Sequence, residues 1–316
     1  MRVTNQMMGN ALKQHIQNNL SKLSRTQEQL STGKTILRPS DNPTDISQLM
    51  AVKAQKEINK QYTQNIDDGL SYLYTTDTAL GTAGEMMAQA NELAAQGANG
   101  TLNDADMQAI GEQIDKMIDE MVDVANTTAG GKYIFAGRTN QRPPFYRNDN
   151  NPDQIMYRGD LKRISREIAN LSEHTVDAPG VLDGENGVFG AIDATDLSAD
   201  GKAEVTGGVF KTLIDLRDAL NSGDQDQVNN MVEEIQTTTD HILMNRVAVG
   251  ARTRHFEAVK DQMLDQETRL SQVMQNLQSA DIARLSIDLG QQQLVYQTTL
   301  SAGANMLQTS LLNFLK

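Results

Sequence analysis

The sequence predicts a mainly α protein: an elongated nested helical hairpin, a coiled-coil bundle drawn from both chain ends, with a small β-rich insert domain at its tip. Three observations carry this expectation. Apolar residues recur at three- and four-residue steps on both sides of residues 132–207, the period of packed helices. Four of the six prolines (Pro143, Pro144, Pro152, Pro179) and several short β-prone runs fall inside 132–207. Finally, Gly290–Leu315 holds no charged residue, yet its five glutamines make it too polar for a membrane span.

The elements follow in order. Residues 5–33 read as a helix, with Leu12, Ile16, Leu20, Leu23 and Leu30 on one stripe and Gly33 suited to the C-cap. Arg38-Pro39-Ser40-Asp41-Asn42-Pro43 cannot be helical, but Asn42 is a good N-cap and Pro43 a good first helical residue. A long helix follows to about Ala98, striped by Tyr62, Ile66, Leu70, Leu73, Leu80, Ala83 and Met87, until Gly97, Gly100 and Asn103 break it. From about Asp104 to Asn126, Met107, Ile110, Ile114, Met117, Met121 and Val124 step in alternating threes and fours, while Asp115, Asp119 and Asp123 mark an opposite face expected to be solvated. Gly130-Gly131 ends this region.

In the insert, Tyr133-Ile134-Phe135, Gln154–Arg158 and Arg163–Ile168 read as strands. Helix returns at Val209–Leu220. It stops at Asn221-Ser222-Gly223 and restarts with Asp224 as cap and Gln227 three residues on. Val228, Val232, Ile235, Ile242, Val249, Phe256, Val259, Met263, Leu270, Val273 and Leu277 continue a seam to about Gln278; Ser279-Ala280-Asp281 marks a break, and a last helix covers about 282–315.

Composition narrows function. The net charge of −13 disfavours nucleic acid and anionic membrane as partners. Residues 1–34 carry +4 and 282–316 carry +1, which leaves −18 for 35–281. Near-neutral ends suit close packing between copies, and an acidic middle suits solvent. Trp is absent and aromatics make up 4 %, which argues against a large core built on rings. With no cysteine there is no disulfide, thiol nucleophile or Cys-ligated metal. Residues 1–8 lack the apolar run of a cleaved secretory signal, so an exported protein would use another route.

Catalytic and cofactor motifs are lacking. His15, His174, His241 and His255 show no metal-ligand spacing, and neither GxSxG nor GxxxxGK[ST] occurs. Asp149-Asn150-Asn151-Pro152-Asp153 with Asp160 partly imitates a calcium loop. Its sixth position is Gln154 where Gly is needed, so a turn is the better reading. No catalytic, metal or cofactor residue is therefore expected. The candidate functional residues are apolar positions on the terminal helices: Leu12, Ile16, Leu23 and Leu30, with Ile282, Leu285, Leu289, Leu294, Leu300, Met306, Leu307, Leu311 and Phe314. Two isolated helices bury too little to offset chain entropy, so these stripes are expected to order against neighbouring copies. The residues alone also leave open a cytosolic coiled-coil scaffold.

Several strings, in this order and spacing, resemble the flagellin superfamily over nearly the full length. They are Met1-Arg2-Val3-Thr4-Asn5-Gln6-Met7, Leu30-Ser31-Thr32-Gly33-Lys34, Arg38–Pro43 and Ser279-Ala280-Asp281-Ile282-Ala283. Tyr133-Ile134-Phe135-Ala136-Gly137, with Pro144-Phe145 downstream, resembles the insert entry of the hook–filament junction members. Asn42 departs from the family's second Asp but still caps a helix. The resemblance implies an extracellular, non-enzymatic structural subunit, exported unfolded through the flagellar type III apparatus with the aid of a chaperone. It further implies self-assembly into a ring between an adjacent hook-associated junction protein and flagellin, with no membrane insertion. Residues 1–43 and 279–316 would line the inner tube, 44–131 and 208–278 would form the long-helix layer, and 132–207 the outside. Filament flagellin is the same-class alternative.

Overall fold

The computed structural model describes the backbone of residues 2–99, 102–148, 151–170 and 172–314; the side chains of 2–6, 198–200 and 306–314 lie outside the described set. Helices α1 (Arg2–Thr32), α2 (Pro43–Gly97) and α3 (Asp104–Ala125) come first. Strands β1 (Thr128–Ala129), β2 (Lys132–Tyr133), β3 (Phe145–Asn148), β4 (Asn151–Tyr157), β5 (Ser165–Ala169), β6 (Ser172–Thr175), β7 (Val181–Asp183) and β8 (Gly190–Ile192) follow. Short α4 (Ala194–Asp200) and β9 (Ala203–Glu204) lead to α5 (Gly208–Ser222), α6 (Gln225–Gln278) and α7 (Ile282–Phe314). The expected order of helices, β-rich insert and helices holds.

The predicted caps Asn42 and Asp224 are present, and Asn103, expected only to break a helix, caps the next one. Asn42 Oδ1 accepts from the N–H groups of Thr44 and Asp45, at 3.2 and 3.3 Å. Asn103 caps α3 by accepting from Asp106 N, and Asp224 caps α6 by accepting from Gln227 N. Each satisfies an amide that the first helical turn leaves without an intrahelical acceptor.

The insert is more finely divided than its sequence suggests. Its sheets are small: β1–β2, β3–β4–β9 and β5–β6 are antiparallel, and β7–β8 is parallel. Of Tyr133-Ile134-Phe135 only Tyr133 is strand, in β2; Ile134 N still donates to Thr127 O at 3.1 Å, and both Ile134 and Phe135 are buried in the core. Gly137, at φ +67°, lies so close to Asp160 that a Cβ would fall 2.0 Å from its carboxylate. Only glycine satisfies both demands. Asp160 then accepts from Arg138 N at 2.6 Å and from Lys162 N at 3.3 Å. The last Asp of the calcium-like string thus organises a turn; Asp149 and Asn150 of that string lie outside the described residues.

By contacts the chain divides into two compact units, 1–59 with 266–316 and 60–265. The second holds the continuous core. On α6, Val228, Ile235, Ile242, Val249, Phe256 and Met263 recur every seventh residue and are all buried. They meet a row of small residues on α2. A Cβ at Gly69 would lie 2.6 Å from Phe256, and Gly97 lies against Val228. Twenty-eight residues forward on α2 thus match twenty-eight back on α6, four heptads in antiparallel register. Between these two points Gly84 lies against Ile242, at 4.0 Å from where its Cβ would be. The Arg246–Asp77 and Lys260–Asp67 pairs flank this seam at 3.0 and 2.8 Å.

The few rings are gathered in one place, while the rest of the core is mainly aliphatic and methionine side chains. Phe135, Phe145, Phe189, Phe210 and Tyr157 form one cluster, with centroids 4.9 to 5.7 Å apart between contacting pairs. The acidic face of α3 is also not simply solvated. Asp115 pairs with Arg147 at 2.7 Å and Arg217 at 3.1 Å, and Asp119 pairs with Arg147 at 3.1 Å. The same Arg217, only 8 % exposed, reaches Asp153 and Asp218. Burial draws the Arg217 guanidinium down, but Asp218 and Asp115 outweigh it and hold it above its ordinary value.

Candidate assembly interface

The unit built from both chain ends lacks a comparable interior. Among its described residues, Ile36 and Leu49 are the buried hydrophobic side chains. Helices α1 and α7 nonetheless pair antiparallel. Gly303 sits against Leu12, where a Cβ would lie 2.8 Å from Leu12 Cδ2, and Asn19 Nδ2 donates to Thr299 Oγ1 at 3.2 Å.

The interruptions in the two helical paths are tied side by side. Thr35 N donates to Gln278 O and Ala280 N donates to Gly33 O, at 2.8 and 2.9 Å, framing a bridge between Lys34 and Ser279. Asp41 builds the turn that follows. Its carboxylate accepts from Leu37 N and Arg38 N and pairs with Arg25 at 2.9 Å. The Arg38 and Leu37 amides, aided by the Arg25 charge, hold that carboxyl below the usual carboxylate range.

The residues singled out from sequence divide into three groups. Leu12, Ile16, Leu23, Leu30, Leu285 and Leu289 are half-buried in the α1–α7 pair. Ile282, Leu294 and Leu300 are exposed, Leu294 at 62 %. Met306, Leu307, Leu311 and Phe314 belong to α7, but their side chains fall outside the described residues. Exposed Met7, Met8, Leu20, Ile287 and Val295 join the apolar surface. Leu20 is legible in the sequence, since it lies on the α1 stripe, whereas Ile287 falls off the α7 stripe and its 71 % exposure singles it out. A monomer rarely leaves so many large apolar side chains open along two helices unless protein covers them.

Among the described residues no group of three or more His, Asp or Glu could hold a metal. His174 and His255, distant in sequence, stack with centroids 4.7 Å apart beside Phe256, and Ser172 bonds the His174 ring. No described helix is long and apolar enough to cross a membrane.

Comparison with known proteins agrees with this arrangement. Residues 3–140 match the model of the bacterial flagellin N-terminal helical region. Flagellar hook-associated protein 3 of Escherichia coli is 23 % identical, the alignment covering 100 % of both chains. A flagellin of Salmonella derby is 26 % identical over 77 % of this chain but 44 % of its own length. The crystal structure of the flagellar junction protein FlgL from Legionella pneumophila superposes with a TM-score of 0.56 at 14 % identity, over 73 % of this chain and 100 % of that one. The chain is thus similar to the flagellin helical region over residues 3–140 and to hook-associated protein 3 from end to end.

Proposed function

We propose that this chain is a structural subunit of the bacterial flagellum that forms the hook–filament junction, adapting the hook-side junction ring to the flagellin filament. The observation that carries this reading is how fully each relative is matched. Hook-associated protein 3 aligns over 100 % of its own length, whereas the flagellin aligns over 44 % of its own. The small β-rich insert is the whole of the elaboration between the helical arms.

In this reading the subunit works by packing, without turnover. Copies form a ring through the terminal helices, residues 1–43 and 279–316, whose exposed apolar side chains meet neighbouring copies. Residues 44–131 and 208–278 form the surrounding long-helix layer, and 132–207 face outward. The adjacent hook-associated protein and flagellin are the axial partners, and the type III export apparatus with its chaperone delivers the chain to the cell exterior.

Electron microscopy of cells lacking the gene, with flagellin assayed in the medium, tests the proposal. Hooks without filaments and flagellin released to the medium are expected. Missing filaments with no flagellin anywhere would make this chain the filament subunit, and normal flagella would remove a junction role.

A further inference from the structure

The charge of the second unit is segregated in a way the junction reading does not use. Residues 132–166 hold eight Lys or Arg against three Asp, in a chain whose net charge is −13. Part of this positive charge lines one cleft. Lys132, Arg138 and Arg166 surround a cavity of about 530 Å³ floored by Tyr72 and Ile164, with Asp68 as the carboxylate in the lining. Among the described residues none of the three cations is paired with a carboxylate: Arg138 Nε donates to Arg163 O and Arg166 Nη1 to Ser165 O. Arg147 and Arg163 of the same segment are neutralised by Asp115 and Asp177. The cleft cations are therefore an unspent positive surface.

The complementary surface lies on the same molecule. The outer face of α3 exposes Asp106, Glu112, Glu120 and Asp123, and none of them pairs with a cation of its own chain among the described residues. Small-molecule sites are mostly apolar with a few polar groups, and this lining is the reverse. A nucleic acid or other long polyanion would be repelled by the rest of so acidic a chain.

We propose that the Lys132–Arg138–Arg166 cleft receives the acidic outer face of α3 from a second copy of this chain. The contact joins two different surfaces. It is therefore head-to-tail and propagates into a ring or helix instead of stopping at a dimer. The proposal rests on the ring-forming role above and names a lateral contact outside the terminal helices.

Cysteine pairs test it directly, because the native chain has none. Lys132→Cys and Glu120→Cys are introduced together in the full chain, and flagella still attached to cells are oxidised. A ladder of disulfide-linked multimers is expected, with none from either single variant. In parallel, reversing the cleft (Lys132→Glu, Arg138→Glu, Arg166→Glu) reduces the fraction of filament-bearing cells at least about tenfold, since like charges brought together across an interface cost several kcal/mol. Adding Glu112→Lys, Glu120→Lys and Asp123→Lys restores filaments. An unchanged circular dichroism melt of the purified cleft variant guards against misfolding. Monomers only, with the chain present in the flagella, would overturn this contact and leave the junction role standing, as would normal filaments in the cleft variant. Absence of the chain from flagella would overturn both.

Discussion

Replacing Gly69 by alanine tests the α2–α6 seam, because two opposing effects have calculable sizes. In an open helix interior Gly→Ala stabilises by about 1 kcal/mol, through lower backbone entropy in the unfolded chain. At Gly69 the added methyl would lie 2.6 Å from Phe256 Cε1 and 3.3 Å from Val176 Cγ1. Phe256 is 1 % exposed and its ring has nowhere to swing. Overpacking of this kind costs about 1–3 kcal/mol, which cancels or exceeds that gain and leaves a net destabilisation of up to about 2 kcal/mol. Gly84 provides the control on the same helix: its methyl would meet Ile242 at 4.0 Å, ordinary contact, and Gly84→Ala stabilises by about 0.5–1 kcal/mol. Denaturant unfolding of the full chain followed by circular dichroism reads both. Phe256→Leu makes room for the methyl, and the double-mutant cycle returns a favourable coupling of about 1–2 kcal/mol. If Gly69→Ala were as stabilising as Gly84→Ala, or Phe256→Leu failed to relieve it, the small-into-large register would be wrong.

Three further outcomes are expected. Arg217→Ala removes the cation shared by Asp115, Asp153 and Asp218 and costs about 2–3 kcal/mol in the same unfolding assay. The Arg147 hydrogen bond, opposed by burial and aided by Arg217, holds the Asp115 carboxyl low. Its contribution is therefore complete above the unfolded value near 3.9 and is lost as pH falls through the lower folded value, so an acid titration by circular dichroism weakens below about pH 4 and Asp115→Asn removes that part of the dependence. Ile287→Ser changes monomer stability by less than about 0.5 kcal/mol, since the side chain is 71 % exposed, yet cuts filament-bearing cells counted by microscopy.

The helical part of the fold was legible because its signals are local. Seven-residue spacing on α6, the Asn42-Pro43 start of α2 and the glycine and proline interruptions each act within a turn or two of the chain. The insert was not, because its order depends on partners far away in sequence. Strand β4 reads clearly, but β9, its second neighbour, is two residues long, and α4 between them carries no periodic pattern. Ion pairing was equally hidden: Asp115 looks like any solvated helix carboxylate until Arg147 and Arg217 are brought to it from other elements. For the terminal helices the stripe was visible, whereas the division into half-buried Leu12 and open Leu294 follows from which side α1 and α7 turn toward each other.

Pairing α1 with α7 has a kinetic consequence. Asn19 and Thr299 are 280 positions apart, so α1 has no partner until nearly the whole chain is available, and closing so long a loop in an unfolded chain carries a large entropic cost. Folding of residues 60–265 as a compact unit removes the conformational freedom of most of that loop and so lowers this cost. A chain that emerges by one end therefore completes its middle first and its adhesive end last. The surface most able to stick to other copies comes into being only when the subunit is otherwise finished, and a truncated or stalled chain never acquires it.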